Sequence, residues 1–153
     1  MTFERKVKNF VKENFGVTAE VGDRFEAYPY EEKKVIFFPT NVSNMRCKEF
    51  MDNYCSEYEA KPTTDEFIIA LLHEVGHIET TKNQLPCITE IHKQRALSFQ
   101  FGLIKNELEY FYIPQEQLAT DFAYAWIKAN RQIVERFWKA IKSDLENMGY
   151  FEE

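Results

Sequence analysis

Two histidines and a glutamate, His73, His77 and Glu74, form an HExxH pattern, and the 153-residue chain has only one further histidine. Four residues advance about 400° around an α-helix, so both imidazoles leave the same face one turn apart and can bind one metal ion. Zinc held by three protein ligands keeps a position for water, lowers the pKa of that water to about 7 and polarises a carbonyl group. Glu74 stands where it can accept the water proton. The pattern therefore predicts a hydrolytic zinc site.

The residues around this motif predict a buried helix. Thr63 and Glu66 have the spacing of a capping box, which places the helix start ahead of the motif. Residues 67–78 are apolar around most of the helical circumference, as in a core helix with one face at a cleft. Gly76 costs up to about 1 kcal/mol in a helix interior, which suggests that another backbone approaches it closely. The alternative is an amphipathic helix that carries the histidines and the glutamate on its solvated side.

A zinc site of this kind needs a third protein ligand. One known continuation places a glycine seven residues and a histidine ten residues after the first histidine, but Thr80 and Asn83 stand there. The other solution is a glutamate on a later helix. Glu116 fits this solution because Pro114 favours a helix start just before it.

The helix that carries Glu116 also has small residues on the face of that glutamate. Ala119 and Ala123 would let the helix lie close to the HExxH helix, which a short carboxylate needs to reach an ion at about 2.0–2.2 Å. The alternative is that Glu116 is a first-turn glutamate that stabilises the helix dipole. Glu107 and Glu109 are reserve candidates for the third ligand.

The stretches ALLHEVGH and EQLATDFA together resemble the ImmA/IrrE-type zinc metallopeptidases, an HExxH family of gluzincin-like type whose later motif is ExxAxxFA. The resemblance covers about residues 65–127. It implies a small zincin-like core, one zinc ion, and hydrolysis of a peptide bond in a protein substrate, with transcriptional repressors among the substrates reported for the family. The roles it implies are metal ligands for His73, His77 and Glu116 and catalytic base for Glu74. The chain departs from the family at Thr120, where asparagine is common.

Further residues are candidates to support the chemistry. Asp121 is a candidate to orient a ligand histidine, but it lies about 500° around the helix from Glu116, so a solvent-facing role is an equal alternative. His92 lies in the polar stretch TEIHKQR, which favours the surface. The candidates for stabilising an oxyanion are Tyr110, Tyr112, Tyr124 and His92, and the sequence does not choose among them.

Two other classes of function remain open beside the peptidase. One is a non-catalytic regulatory module that keeps the zinc site and sequesters a protein partner. The other is a helical structural or interaction protein in which the motif is fortuitous. Metal content separates the second from the others, and turnover separates the first from an enzyme.

Charge and cysteine content restrict the partners and the compartment. The 19 basic and 25 acidic residues give a net charge of −6, so bulk electrostatics favour neither nucleic acid nor an anionic membrane, and a protein partner is expected. The start, MTFERKVKNF, lacks an apolar signal segment, and no apolar run approaches the ~20 residues that span a bilayer, which predicts a cytoplasmic protein. Cys47, Cys55 and Cys87 form no CxxC pair, which favours reduced core thiols over metal binding.

The length predicts one domain over residues 1–153. Apolar periodicity predicts an α+β fold, mostly helical, with a small antiparallel or mixed sheet of about three strands. The expected helices are an opening helix that stops at Gly16, the HExxH helix, and segments 45–58, 97–111, 115–128 and 130–147; the expected strands are 17–21, 24–28 and 34–38. We expect the apolar stripe of the last helix to cover the core, with docking of a partner as the alternative.

The third predicted strand bears on substrate binding. If residues 34–38 form a sheet edge beside the HExxH helix, an extended substrate can add to them as a further strand. Phe37 and Phe38 would then shape the groove, although at least one of them is expected simply to pack against the sheet.

Overall fold

The protein is described by a computed structural model that covers residues 1–29, 34–46, 64–82 and 114–152. Within these ranges the fold is α+β and mostly helical, with one mixed three-stranded sheet. In chain order, the elements are α1 (Phe3–Phe15), β1 (Thr18–Gly22), β2 (Glu26–Tyr28), β3 (Val35–Pro39), α2 (Val42–Met45), α3 (Glu66–Thr81), α4 (Pro114–Ala129) and α5 (Arg131–Asn147).

Helix α1 begins and ends where its sequence predicts. The Thr2 hydroxyl accepts a hydrogen bond from the Arg5 amide at 3.2 Å, which caps the first turn. Gly16 ends the helix with φ +68°, a left-handed conformation that glycine adopts without steric cost, and its amide donates to the Lys12 carbonyl. The apolar stripe of α1, including the fully buried Val7 and Val11, faces the core.

The sheet has the strand order β1-β3-β2, so β3 is central. It pairs in parallel with β1 and antiparallel with β2. The condition under which residues 34–38 could bind an extended substrate, a position at the sheet edge, is therefore not met. The run VIFFP buries Ile36 and Phe38 completely, both on one face of the sheet, while Val35 and Phe37 on the other face are half-buried. The three-residue β2, which carries Glu26, suits an edge better.

Helix α3 carries the HExxH motif through the middle of the core. Eleven of its sixteen residues are buried, so the helix is apolar around most of its circumference. Its cap is Asp65, whose carboxylate accepts a hydrogen bond from the Phe67 amide at 2.8 Å. The predicted cap at Thr63 was therefore wrong. Asp65 also accepts a hydrogen bond from the Tyr150 hydroxyl at 2.7 Å, a tertiary contact that fixes the cap at this position.

Helix α5 covers the core, as its apolar stripe predicts. Phe137 stacks on Phe10 of α1 with ring centroids 3.9 Å apart and nearly parallel planes. Its buried residues are Val134, Phe137, Ile141 and Leu145. This face is therefore occupied by the protein's own core and is not a docking surface.

Several predicted elements lie outside the described residues. They are most of helix 45–58 and all of helix 97–111, together with Cys47, Cys55 and Cys87. The described residues of the predicted helix 45–58 do not begin a helix, because α2 ends at Met45 and Arg46 is extended. Within the described ranges, no helix combines the length and hydropathy needed to cross a lipid bilayer.

Candidate metal centre

The two histidines of the motif converge on one carboxylate oxygen. His73 and His77 leave the same face of α3 one turn apart, and their ring centroids are 4.7 Å apart. The Nε2 atoms of His73 and His77 lie 2.7 Å and 3.0 Å from Oε2 of Glu116, which stands in the first turn of α4. All three side chains are buried, Glu116 with only 2% of its surface exposed. The structure therefore brings the three predicted ligands together.

A backbone contact between α3 and α4 makes this convergence possible. A Cβ atom added to Gly76 would lie 2.5 Å from the carbonyl oxygen and 2.9 Å from the Cα of Ala119. Only a glycine on α3 allows α4 to come this close. Ala119 and Ala123 on α4 are fully buried. The short side chain of Glu116 reaches both imidazoles because the two backbones touch one turn away.

The donor set fits a metal ion. Two imidazole nitrogens and one carboxylate oxygen are common metal ligands, and these donor atoms all lie within 4.8 Å of one another. In a tetrahedral site with bonds of about 2.0–2.1 Å, neighbouring ligand atoms lie about 3.3 Å apart. The observed nitrogen-to-oxygen distances of 2.7 and 3.0 Å are a few tenths shorter, so a small outward movement of the side chains suffices. The buried group of His73, His77 and Glu116 can bind a metal ion.

The charges within the group support one another. Burial alone would lower the pKa of His77, but the negative charge and the hydrogen bond of Glu116 outweigh it and raise the pKa to about 9. Burial alone would raise the pKa of Glu116, but the charge of His77 and the hydrogen bonds of both imidazoles hold it well below its usual range. The carboxylate is therefore ionised, as a metal ligand must be.

The ring of His73 is held from its other side by Thr120. The Thr120 hydroxyl oxygen lies 2.9 Å from Nδ1 of His73 and 3.0 Å from the carbonyl oxygen of Glu116, to which it donates. Thr120 is fully buried. Hydrogen bonds to the remote nitrogen orient metal-binding histidines in proteins. In the sequence analysis Thr120 stands only as a departure from a family pattern. Its position one helical turn after Glu116 places it on the same face, and this spacing could have indicated that it lies near the ligands.

Glu74 lies beside the group without belonging to it. Its side chain is half-buried, whereas the three candidate ligands are buried. Burial raises the pKa of Glu74 above its ordinary value, against the opposing effect of the imidazoles of His73 and His77. The carboxylate of Glu26 on β2 is close enough to add to this rise. A carboxyl group with a raised pKa at the edge of a metal group is suited to accept and return a proton.

Of the remaining candidate site residues, the structure describes Tyr124 and Asp121. Tyr124 is buried and belongs to the hydrophobic core cluster, while Asp121 is exposed on α4. The hydroxyl that meets the His73 ring belongs to Thr120, the neighbour of Asp121. The candidates that lie outside the described residues are His92, Glu107, Glu109, Tyr110 and Tyr112.

Comparisons of the chain with protein-family models, with curated proteins and with solved structures gave no match. The function must therefore be argued from the geometry of the site and the chemistry of its residues.

Proposed function

We propose that the protein is a zinc-dependent endopeptidase that hydrolyses a peptide bond in a protein substrate. The observation that carries this proposal is the convergence of His73, His77 and Glu116, with the ionisable Glu74 placed beside them. A transcriptional repressor is the substrate class that the sequence resemblance suggests.

Zinc is the metal that the donor set favours. Two neutral imidazoles and one carboxylate are the ligands of a known class of catalytic zinc sites, which keep a fourth position for water or substrate. Calcium and magnesium prefer sites made mostly of oxygen ligands, whereas His73 and His77 supply two nitrogens here. When bound, zinc supplies a Lewis acid that polarises the substrate carbonyl and acidifies water.

Glu74 performs the proton transfers in this proposal. As a carboxylate it accepts a proton from the attacking water, and as a carboxylic acid it returns that proton to the departing amine. Its raised pKa brings the two forms closer in free energy, which both steps need. His73, His77 and Glu116 bind the ion and so keep their positions through the cycle.

The edge strand β2 supports a binding mode for the substrate. Among the described strands, β2 has β3 on one side and no strand on the other, and it also contacts α3. An extended peptide can add to such an edge through main-chain hydrogen bonds. This assigns to β2 the role that the sequence suggested for residues 34–38, which are central in the sheet.

The experiment combines zinc content with turnover. The purified protein, loaded with one equivalent of zinc, is incubated with a library of internally quenched peptides, beside Glu74→Gln and Glu79→Gln. Glu79 lies on the same helix and pairs with the exposed Lys82, so Glu79→Gln removes one negative charge away from the three ligands. We expect cleavage by the wild type and by Glu79→Gln, and loss of cleavage with retained zinc in Glu74→Gln. Equal cleavage by Glu74→Gln would refute the assigned role.

A second candidate is a zinc-binding module that sequesters a protein partner without catalysis. The observation that favours it is the burial of the group, since only 5% of His73 and 2% of Glu116 are exposed. Structural zinc sites are closed in this way, although they normally have four protein ligands. Stoichiometric zinc without peptide cleavage, in the wild type as in Glu74→Gln, would select this candidate.

A further inference from the structure

One face of strand β2 carries an acidic and an aromatic side chain next to each other. Side chains alternate along a strand, so Glu26 and Tyr28 lie on one face of the sheet and Ala27 lies on the other. Ala27 pairs with the fully buried Ile36 of β3, so its face is the core side. Glu26 pairs instead with the half-buried Phe37, whose ring centroid lies 5.4 Å from that of Tyr28. Glu26 and Tyr28 therefore lie together on the outer face.

The carboxylate of Glu26 can accept a further cation. Its ion pair with Arg24 has a distance of 3.3 Å, and 64% of the Arg24 side chain is exposed. Exposed ion pairs contribute little to stability, so a second basic group can compete for this carboxylate. Burial and the negative charge of Glu26 together raise the pKa of Tyr28, as expected where the carboxylate lies near the phenol ring. A guanidinium or ammonium group can therefore contact a carboxylate and an aromatic ring at the same place.

Strand β2 also lies beside the helix that carries the metal group. It contacts α3, and Phe25, the residue before β2, packs against Phe67 of that helix with ring centroids 5.4 Å apart. Glu26 is near enough to Glu74 for its charge to add to the effect of burial on the pKa of Glu74. A peptide bound along the edge of β2 that no described strand occupies therefore passes close to the residues proposed for hydrolysis.

The geometry of a strand pair determines which peptide side chain meets Glu26. A peptide that adds to a sheet edge pairs residue by residue with the strand that it joins. Side chains directly opposite each other in an antiparallel pair lie on the same face, with Cβ atoms about 4.5–5.5 Å apart. Opposite charges in such a pair are stabilising and like charges are destabilising. The charge of Glu26 therefore favours a basic side chain at one position of the peptide.

We propose that Glu26 is a specificity-determining residue that selects peptide segments with an arginine or a lysine at the position opposite it. This inference rests on the proposed peptidase function and defines its substrate class as extended segments with a basic residue close to the scissile bond. Glu26 binds this side chain together with the ring of Tyr28 and takes no part in the proton transfers.

The test begins with selection of phage-displayed random decapeptides on the zinc-loaded protein. Glu74→Gln serves as the background, so that bound peptides are not cleaved. We expect the recovered peptides to be enriched in arginine or lysine at one position of their aligned sequences. Glu26→Gln in the same background should remove this enrichment, and Glu26→Lys should replace it with aspartate or glutamate. A merely structural role of Glu26 would not reverse the preferred charge.

Glu20→Gln is the matched control. Glu20 is also a register partner of Phe37, on the same outer face, but it lies on β1 at the opposite side of the sheet. Half of its side chain is exposed, and it pairs with Lys8 of α1 at 3.6 Å. Glu20→Gln therefore removes the same charge at the same level of the sheet, away from the edge of β2. We expect it to leave the enrichment unchanged.

Affinity measurements give the size of the effect. A synthetic peptide of the selected sequence is compared, by fluorescence anisotropy, with the same peptide that has glutamine in place of its basic residue. We expect the basic peptide to bind about 1.5- to 5-fold more tightly, the range for a partly exposed ion pair. Glu26→Gln should abolish this difference. Arg24→Gln removes the competing cation and should widen it.

Two outcomes would overturn the inference. One is the same preference for basic residues in Glu26→Gln as in the background, and the other is recovery of no peptide above the unselected library. Turnover of the selected peptides by the wild type separates this inference from the proposed function. Cleavage without any preference for basic residues would leave the peptidase and refute the role of Glu26. A preference that depends on Glu26, without cleavage, would refute the peptidase and keep the binding site.

Discussion

The replacement Gly76→Ala tests how the close contact between α3 and α4 builds the metal group. The added Cβ would lie 2.5 Å from the carbonyl oxygen, 2.9 Å from Cα and 3.1 Å from the carbonyl carbon of Ala119. All three are backbone atoms, so no change of rotamer relieves the overlap. Helix α4 must move away by about half an ångström or more.

The expected effect on stability is modest. Alanine is favoured over glycine in a helix interior by about 1 kcal/mol, which offsets part of the steric cost. Overpacking a well-packed core costs about 1–3 kcal/mol. The net decrease in the free energy of unfolding of the zinc-free protein is therefore on the order of 0–2 kcal/mol.

Zinc affinity is also expected to fall. Glu116 lies one turn before Ala119 on the same helix and moves with it. The 2.7 and 3.0 Å contacts leave only a few tenths of an ångström before the tetrahedral spacing of about 3.3 Å is exceeded, so a retreat of more than half an ångström takes the carboxylate beyond the tolerance of about 0.2 Å. We expect the dissociation constant for zinc to rise by about 10–100-fold, the range for disturbed supporting contacts.

The assay pairs chelator competition with urea denaturation, and Gly16→Ala is its control. Gly16 has φ +68° and no atom within 4 Å of an added Cβ, so alanine there costs about 1 kcal/mol through backbone strain alone. We expect Gly16→Ala to lose stability and keep zinc affinity. If Gly76→Ala folds and binds zinc as tightly as the wild type, the close contact does not position Glu116.

Three further outcomes are expected from thermodynamic measurements. Zinc at about 1,000 times its dissociation constant should raise the free energy of unfolding by about 4 kcal/mol, and Glu116→Gln should abolish most of that increment in a denaturation series with and without zinc. Asp65→Ala should lower the free energy of unfolding by about 1 kcal/mol because the α3 cap is lost. Asp65→Asn can still cap the helix and should lower it less, so equal losses in the two variants would contradict the assigned cap. Lys6→Met should cost no more than about 1 kcal/mol, since its ion pair with Asp144 is partly exposed, and a larger loss by urea denaturation would contradict this ranking.

The sequence predicted those features that depend on local pattern. Gly16 ended α1 as expected, and the three strands began and ended within two residues of their predicted positions. The spacing of His73 and His77 predicted a shared helical face because it depends only on the helical repeat. A close contact between two helices requires small residues, and Gly76 and Ala119 correctly indicated such a contact.

Features that depend on distant parts of the chain were not predictable in this way. Thr63 and Asp65 are both good caps, and the choice of Asp65 involves Tyr150, 85 residues later in the chain. The periodicity of a strand does not tell which strands become its neighbours. The pairing of β3 with both β1 and β2 was therefore not predictable. The contact of Thr120 with the His73 ring appears only once the two helices are placed together.

The group of His73, His77 and Glu116 is assembled by contacts that do not involve an ion. The backbones touch at Gly76, and the Thr120 hydroxyl joins one ligand ring to the main chain of another ligand. Imidazole–carboxylate hydrogen bonds complete the group where an ion would lie. These contacts fix the ligands of α3 and α4 relative to one another. The proposed peptidase role would need this arrangement, because the ligands of a catalytic centre must hold still while substrate and water exchange.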